Sequence, residues 1–236
     1  YIMNKLNAFM QEKYGMKSFT HTPESKQIPI LTTETINGKR FYVVDGEKYP
    51  SITTVLSARN QEGLVRWRKS VGNDVANNIM RTAAKRGTAV HNLVENYLNN
   101  EELSKQDVLP LALFTLLKPS LDNINSIRIQ EGSLYSNKWK IAGRVDCIAE
   151  YDGVLSVIDF KTSRQEKKEE WCENYFIQGS AYCEMYEEWF GTPISQVVIL
   201  IVTEDGAVQI FKKDKSSYLP LLQPAIDEFY QVFNNK

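Results

Sequence analysis

Gly143–Ser163 reads GRVDCIAEYDGVLSVIDFKTS, two arms rich in Val, Ile, Leu and Tyr on either side of Asp152-Gly153. Asp-Gly between apolar runs is a strong signal for a two-residue β-hairpin loop. With that dipeptide as the loop, Tyr151 pairs with Val154 and paired residue numbers sum to 305. Asp146 and Asp159 share that sum, so the register predicts two carboxylates opposite each other. Like charges directly opposed weaken a sheet, and burying one without a partner costs more. A divalent cation bound by both turns that cost into a site. Lys161 stands two residues beyond Asp159, on the same face, and adds an amine. The plain alternative is an exposed, salt-bridged strand end with Arg144 opposite Lys161, again by the same sum. An acid-x-Lys tripeptide alone decides little, since Glu24-Ser25-Lys26 and Glu166-Lys167-Lys168 also contain it. Asp159-Phe160-Lys161 differs because it ends an apolar strand and has an acid facing it.

Outward from the hairpin, the pattern predicts strands over 126–135 and 139–151, completing a meander with 154–161. Upstream, short strands over 40–44 and 48–52 flank Asp45-Gly46, another hairpin signal. Helical periodicity covers 62–70 and 73–98, the latter with Ile79, Ala83, Val90, Leu93, Val94 and Tyr97 along one stripe. Gly87 allows a kink or a close backbone approach there. A further helix spans about 107–117, with Pro119 marking a break or restart. After the meander, 169–189 returns to helix, 195–203 and 207–211 form a hairpin around Asp205-Gly206, and 215–233 closes as an amphipathic helix. The first forty residues, with Pro23 and Pro29, read as a polar, irregular arm. The expectation is therefore an α/β fold with a mixed central β-sheet flanked by helices and preceded by a helical segment. Residues 1–40 are the arm and 41–236 one domain.

Composition narrows the class. A chain of 236 residues with 42% hydrophobic content can bury one full core. No apolar run approaches membrane-spanning length, and no signal-peptide core is visible at the start. The expectation is an intracellular protein with no membrane partner, cytoplasmic in a bacterium or phage-infected host, or mitochondrial if a targeting segment precedes Tyr1. Cys147, Cys172 and Cys183 suit a reducing compartment and are too few for a four-thiolate cluster, so no iron–sulfur cluster is expected. Net charge is only −1. Yet from Arg59 to Arg86 seven cations (Arg59, Arg66, Arg68, Lys69, Arg81, Lys85, Arg86) face only Glu62 and Asp74. Alone this is as readily a solvated helical face as a phosphate-binding surface; beside a metal site the phosphate reading gains.

Asp146, twelve intervening residues, and Asp159-Phe160-Lys161-Thr162 resemble the signature of the PD-(D/E)XK nuclease superfamily, with Val145 in place of its nominal proline. The order of elements is similar to the restriction-endonuclease-like core of that superfamily. Arg86-Gly87-Thr88-Ala89-Val90-His91 resembles the RGT-x-x-H element of its RecB-type exonuclease branch. Gln178-Gly179-Ser180-Ala181-Tyr182 matches the Q-x-x-x-Y helix of the same branch. Tyr49–Leu56, followed by Trp67, is similar to the genome-maintenance exonucleases within it and their phage and bacterial relatives.

The resemblance implies a Mg²⁺- or Mn²⁺-dependent deoxyribonuclease, an exonuclease acting on single-stranded DNA with free ends, with duplex DNA ends as a further substrate. A restriction-type endonuclease and a non-catalytic DNA-binding module are the rivals. Asp146 and Asp159 are the hard oxygen ligands, with the Phe160 carbonyl as the branch's usual third and His91 as an added imidazole. The alternative for His91 is a hydrogen-bonded core residue. Lys161 is implied to contact the scissile phosphate and the attacking water. Glu131 resembles the preceding acidic position, its alternative being an ordinary strand glutamate. Gln178 and Tyr182, four apart on one helix face, are implied to brace the site and the DNA backbone, or simply to pack. Arg66, Arg68, Lys69 and Arg86, with Arg144 and Thr162 beside the site, are candidate DNA contacts. Trp67 is a candidate for base stacking or for core. On this reading residues of about 59–125 form a helical DNA-binding segment and about 126–236 the catalytic core. His21 carries no assignment, and the oligomeric state is unknown.

Overall fold

In the computed structural model, residue 15 and residues 17–234 are described; positions 1–14 and 16 of the expected arm lie outside the described residues. A small antiparallel sheet comes first: β1 (Thr32–Ile36), β2 (Lys39–Val44) and β3 (Glu47–Pro50). Helices α1 (Ile52–Ser57), α2 (Gln61–Val71), α3 (Asn73–Leu98) and α4 (Val108–Leu121) follow. Next come β4 (Ile124–Ser136), β5 (Ile141–Tyr151), β6 (Val154–Ser163), α5 (Glu173–Phe190), β7 (Gln196–Thr203), β8 (Val208–Asp214) and α6 (Leu222–Asn234). Strands β4 to β8 form one five-stranded sheet in chain order.

The expected mixed sheet is present. Only β6 and β7 run parallel, joined by the α5 crossover; the other neighbours are antiparallel. Helices cover both faces, so β7 is apolar from Val197 to Val202 rather than alternating. Val197, Ile199 and Ile201 join the cluster beneath α1, α5 and α6. Val198, Leu200 and Val202 join the one beneath α3 and α4. Gly179 lets α5 lie directly on β7, because a Cβ there would stand 2.2 Å from Val197 Cγ1.

The hairpin register holds from Tyr151↔Val154 to Cys147↔Ile158. Its loop residues Asp152 and Gly153 adopt φ of 49° and 81°, the paired left-handed conformations of a tight hairpin turn. Helix α3 has the bounds its periodicity predicts.

Three features depart from the sequence expectation. The supposedly irregular arm contains β1, because Asn37-Gly38, with φ of 50° and 72°, turns it onto β2. Its earlier part is also packed. Phe19 is buried, Lys17 Nζ donates to the carbonyls of Asp122 and Ile124, and His21 bridges to Ile127. Ile52, expected as the end of a strand, instead opens α1, since Ser51 caps that helix by accepting from the Thr54 amide. Helix α4 runs past Pro119 to Leu121, held by the burial of Leu117, Ser120 and Leu121.

Candidate metal centre

Beyond Cys147↔Ile158 the β5–β6 ladder gives way to a side-chain contact. The Phe160 amide donates to Asp146 Oδ2 at 3.0 Å, and β6 continues in register with β7 alone, Asp159↔Ile199 to Ser163↔Thr203. The opening leaves the Asp146 carboxylate and the Phe160 carbonyl at one point of the sheet. Across β5, residue 131 of β4 stands opposite Asp146. It is skipped between the pairs Gln130↔Cys147 and Gly132↔Val145, and Glu131 takes φ of 49°. A left-handed glutamate inside a strand is strained, and such strain gathers at functional sites.

His91 reaches this point from α3. Its Nε2 lies 2.7 Å from the Phe160 carbonyl oxygen. Its Nδ1 lies 3.8 Å from Glu131 Oε1 and 3.8 Å from Asp146 Oδ2. One ligand atom from each of His91, Glu131 and Asp146 lies within 4.8 Å of the others. Helical spacing puts Gly87, Thr88, His91 and Glu95 on one face. With Asn92, Glu131 and Arg144 they line a cleft of about 320 Å³ opening onto the cluster.

Asp159 and Lys161 form the other half of the site. Asp159 is 3% exposed, and Lys161 Nζ lies 2.7 Å from its Oδ2 and 2.9 Å from its Oδ1. Only the Oδ1 contact has hydrogen-bond geometry, so Oδ2 is buried without a donor aimed at it. The Lys161 ammonium also sits 5.1 Å from the centre of the Tyr175 ring.

Electrostatics follow from this crowding. Burial opposes a charge on His91, but the Glu131, Asp146 and Asp159 carboxylates beside it prevail and raise its pKa to about 9. Burial, then Asp159, push Asp146 up to about 6 against the pull of His91, Lys161 and the Phe160 amide. Burial disfavours the Lys161 ammonium, yet Asp159 and Asp146 hold its pKa above the ordinary lysine value. Two carboxylates, an imidazole and a backbone carbonyl, from Asp146, Glu131, His91 and Phe160, suit a hard divalent cation with mixed oxygen and nitrogen ligands. Asp159, with Oδ2 buried and no donor aimed at it, lies outside that group and against Lys161.

The supporting residues sort clearly. Arg144 is paired with Glu131, its Nε 2.8 Å from Oε2 and 3.1 Å from the Glu131 carbonyl, rather than crossing to Lys161. Tyr182 donates its hydroxyl to the Arg144 carbonyl at 2.9 Å, and the buried Gln178 lies one helical turn before it. Gly143 makes room, since a Cβ there would meet the Tyr182 hydroxyl at 2.6 Å. Arg86 is 8% exposed, paired with Glu204 and 3.4 Å from Thr162 Oγ1. Arg66 and Lys69 are exposed on α2, Arg68 and Trp67 half-buried. Arg59 is tied to Glu173 and Asn174. Glu204, Tyr175, Asn92 and Glu95 escaped the sequence reading. For Glu95, four residues beyond His91, the one available signal was helical spacing; Asn92 carried none.

No protein-family model matches this chain. It is 28% identical over 129 residues to mitochondrial genome maintenance exonuclease 1 of Homo sapiens, which spans 50% of this chain and 38% of that protein. The match thus covers well under half of the curated relative's length. The crystal structure of Scheffersomyces stipitis Rai1 with (3′-NADP)⁺ and calcium ion aligns with 99% of this chain and 65% of its own. Its TM-score is 0.26 and its identity 15%, too low for any structural argument. Among the described residues no helix is long and apolar enough to cross a membrane.

Proposed function

We propose that this chain is a divalent-metal-dependent deoxyribonuclease of the PD-(D/E)XK type, an exonuclease that hydrolyses single-stranded DNA from free ends in genome maintenance. The observation that carries the reading is the convergence of His91, Glu131, Asp146 and the Phe160 carbonyl beside the Asp159–Lys161 pair. The similarity to an exonuclease over half of the chain supports it. Asp146, Asp159, the Phe160 carbonyl and His91 would hold Mg²⁺ or Mn²⁺, with Glu131 beside them. When bound, the cation supplies Lewis-acid polarisation of the phosphate and compensates the charge of the acids.

The remaining chemistry belongs to the chain. Lys161, charged and anchored by Asp159, binds a non-bridging oxygen of the scissile phosphate and stabilises charge that grows in the transition state. Glu131, fixed by Arg144, orients the attacking water by accepting its hydrogen bond. Tyr182 and Gln178 hold the Arg144 backbone in place. The exposed cations of α2 bind the phosphates of the incoming strand without reading its sequence. The test is degradation of end-labelled linear single strands, circular single strands and duplexes with Mg²⁺, Mn²⁺ or EDTA. Loss of linear single strands only when metal is present, with circles intact, supports the proposal. Nicked circles would make the enzyme an endonuclease. Binding without cleavage in either metal would leave only a DNA-binding module.

A further inference from the structure

A second cleft, of about 330 Å³, is lined by Arg59, Glu170, Trp171, Glu173 and Asn174. It shares no lining residue with the cleft over His91 and Glu131. A short helical turn over Glu169–Cys172 carries Trp171, and Asn174 precedes Tyr175, whose ring lies against the Lys161 ammonium. Asn174 of this cleft is thus the chain neighbour of the ring that meets Lys161. Trp171 is 56% exposed, an unusual state for so large an apolar side chain, although its neighbour Cys172 is fully buried and fixes the turn. Lys168 stacks its ammonium 5.3 Å from the indole centre.

Charge decides what fits. The Arg59 guanidinium is already matched, 2.9 Å from Glu173 Oε1 and 2.7 Å from Asn174 Oδ1. Glu170 and Glu173 offset Arg59 and the Lys168 ammonium over the indole, so the cleft has no excess positive charge to attract a phosphate. A neutral nucleobase has what the cleft lacks: a π face for the indole, and ring or exocyclic N–H groups for the carboxylates. The volume lies at the low end of small-ligand clefts, roughly 300–1,000 Å³, and admits one base.

We infer that Trp171 and the cleft beside it form a base-stacking subsite that holds one nucleotide of the substrate strand next to the scissile phosphate. The inference rests on the nuclease reading above and adds a docking position for a base to it. The stacked base fixes the strand's direction and distance relative to Lys161. Stacking tolerates every base, since each offers a π face to Trp171.

The experiment measures anisotropy of labelled single-stranded oligonucleotides in Ca²⁺ for the wild type, Trp171→Ala and Trp171→Phe, with single abasic positions scanned along the strand. Wild-type binding and wild-type cleavage in Mg²⁺ or Mn²⁺ test the underlying reading. Trp171→Ala should lose about tenfold in affinity, and Trp171→Phe should keep most of it. One abasic position should cost the wild type the same factor and cost Trp171→Ala nothing further. Because the indole is exposed, both variants should keep the wild-type thermal midpoint. A wild type that binds and cleaves while Trp171→Ala binds equally well, or while every abasic position is tolerated, overturns the subsite alone. A wild type that neither binds nor cleaves overturns the nuclease reading and the subsite with it.

Discussion

The imidazole Nε2 of His91 lies 2.7 Å from the carbonyl oxygen of Phe160, so this nitrogen carries a proton and donates it. Nδ1 is then the nitrogen facing Glu131 and Asp146, and with a pKa of about 9 the ring is an imidazolium near neutral pH. In the absence of metal, the ring's positive charge compensates the acids.

Metal binding should therefore release a proton from His91, because a ligating imidazole must be neutral. Affinity for Mn²⁺ should rise with pH up to about 9 and level off beyond it. Calorimetric titration in buffers of different ionisation enthalpy reads the proton directly. His91→Ala should abolish the release and weaken Mn²⁺ binding about 10- to 100-fold, with activity partly restored at high Mn²⁺. A variant that only loses thermal stability would return His91 to the core.

The same shifts set the stability of the EDTA-treated protein. A histidine whose pKa is raised from 6.5 to about 9 stabilises the fold fully below 6.5, and that contribution is lost as pH rises through 9. Asp146, raised from 3.8 to about 6, has the same sign: the folded state binds its proton more tightly, so stability falls as pH climbs between those values. The thermal midpoint in EDTA should thus decline on the order of 5 °C from pH 6.5 to 9. His91→Gln should flatten that decline.

Lys161→Ala should reduce turnover at least 100-fold while single-strand affinity changes less than about threefold, since its amine acts on charge that develops after binding. It also strips Asp159 of its ion-pair partner, leaving a buried carboxylate uncompensated in the metal-free protein. The variant should melt lower in EDTA and recover when Mg²⁺ is added. Near-wild-type turnover would remove the lysine from the mechanism.

Much of this site was legible because its signals are local. Asp152-Gly153 fixes the loop, the loop fixes the register, and Cys147↔Ile158 falls where the sum places it. What the sum could not show is the opening one residue further on, where the Phe160 amide turns to the Asp146 side chain. Glu131 was legible only by resemblance, because nothing in a glutamate favours the left-handed conformation that aims it at the site. Arg86 and Glu204 lie 118 residues apart, and no periodicity joins them. The strand β1 was a different kind of miss: Asn37-Gly38 is as strong a turn signal as Asp152-Gly153, but the prolines before it made the region read as an arm.

The basic stretch yields the sharpest contrast, because counting charges treats its seven cations alike and the structure does not. Arg66 and Lys69 are exposed and Arg68 half-exposed on α2, whereas Arg86 is buried against Glu204 and Thr162. If α2 follows a nucleic-acid backbone, each neutralised phosphate releases counterions and affinity falls steeply with salt. Replacing Arg66, Arg68 and Lys69 together by Ala should flatten the salt slope by about 2 to 3 and weaken binding of unrelated sequences alike. Turnover at saturating DNA should persist, since none of the three lies at the metal centre. Arg86→Ala should do the reverse. Its salt slope should stay near wild type while the thermal midpoint drops by several degrees, because it leaves the half-buried Glu204 side chain without its cation. An Arg86 variant with a flattened slope and an unchanged midpoint would move that guanidinium from the fold's interior ties to the DNA path.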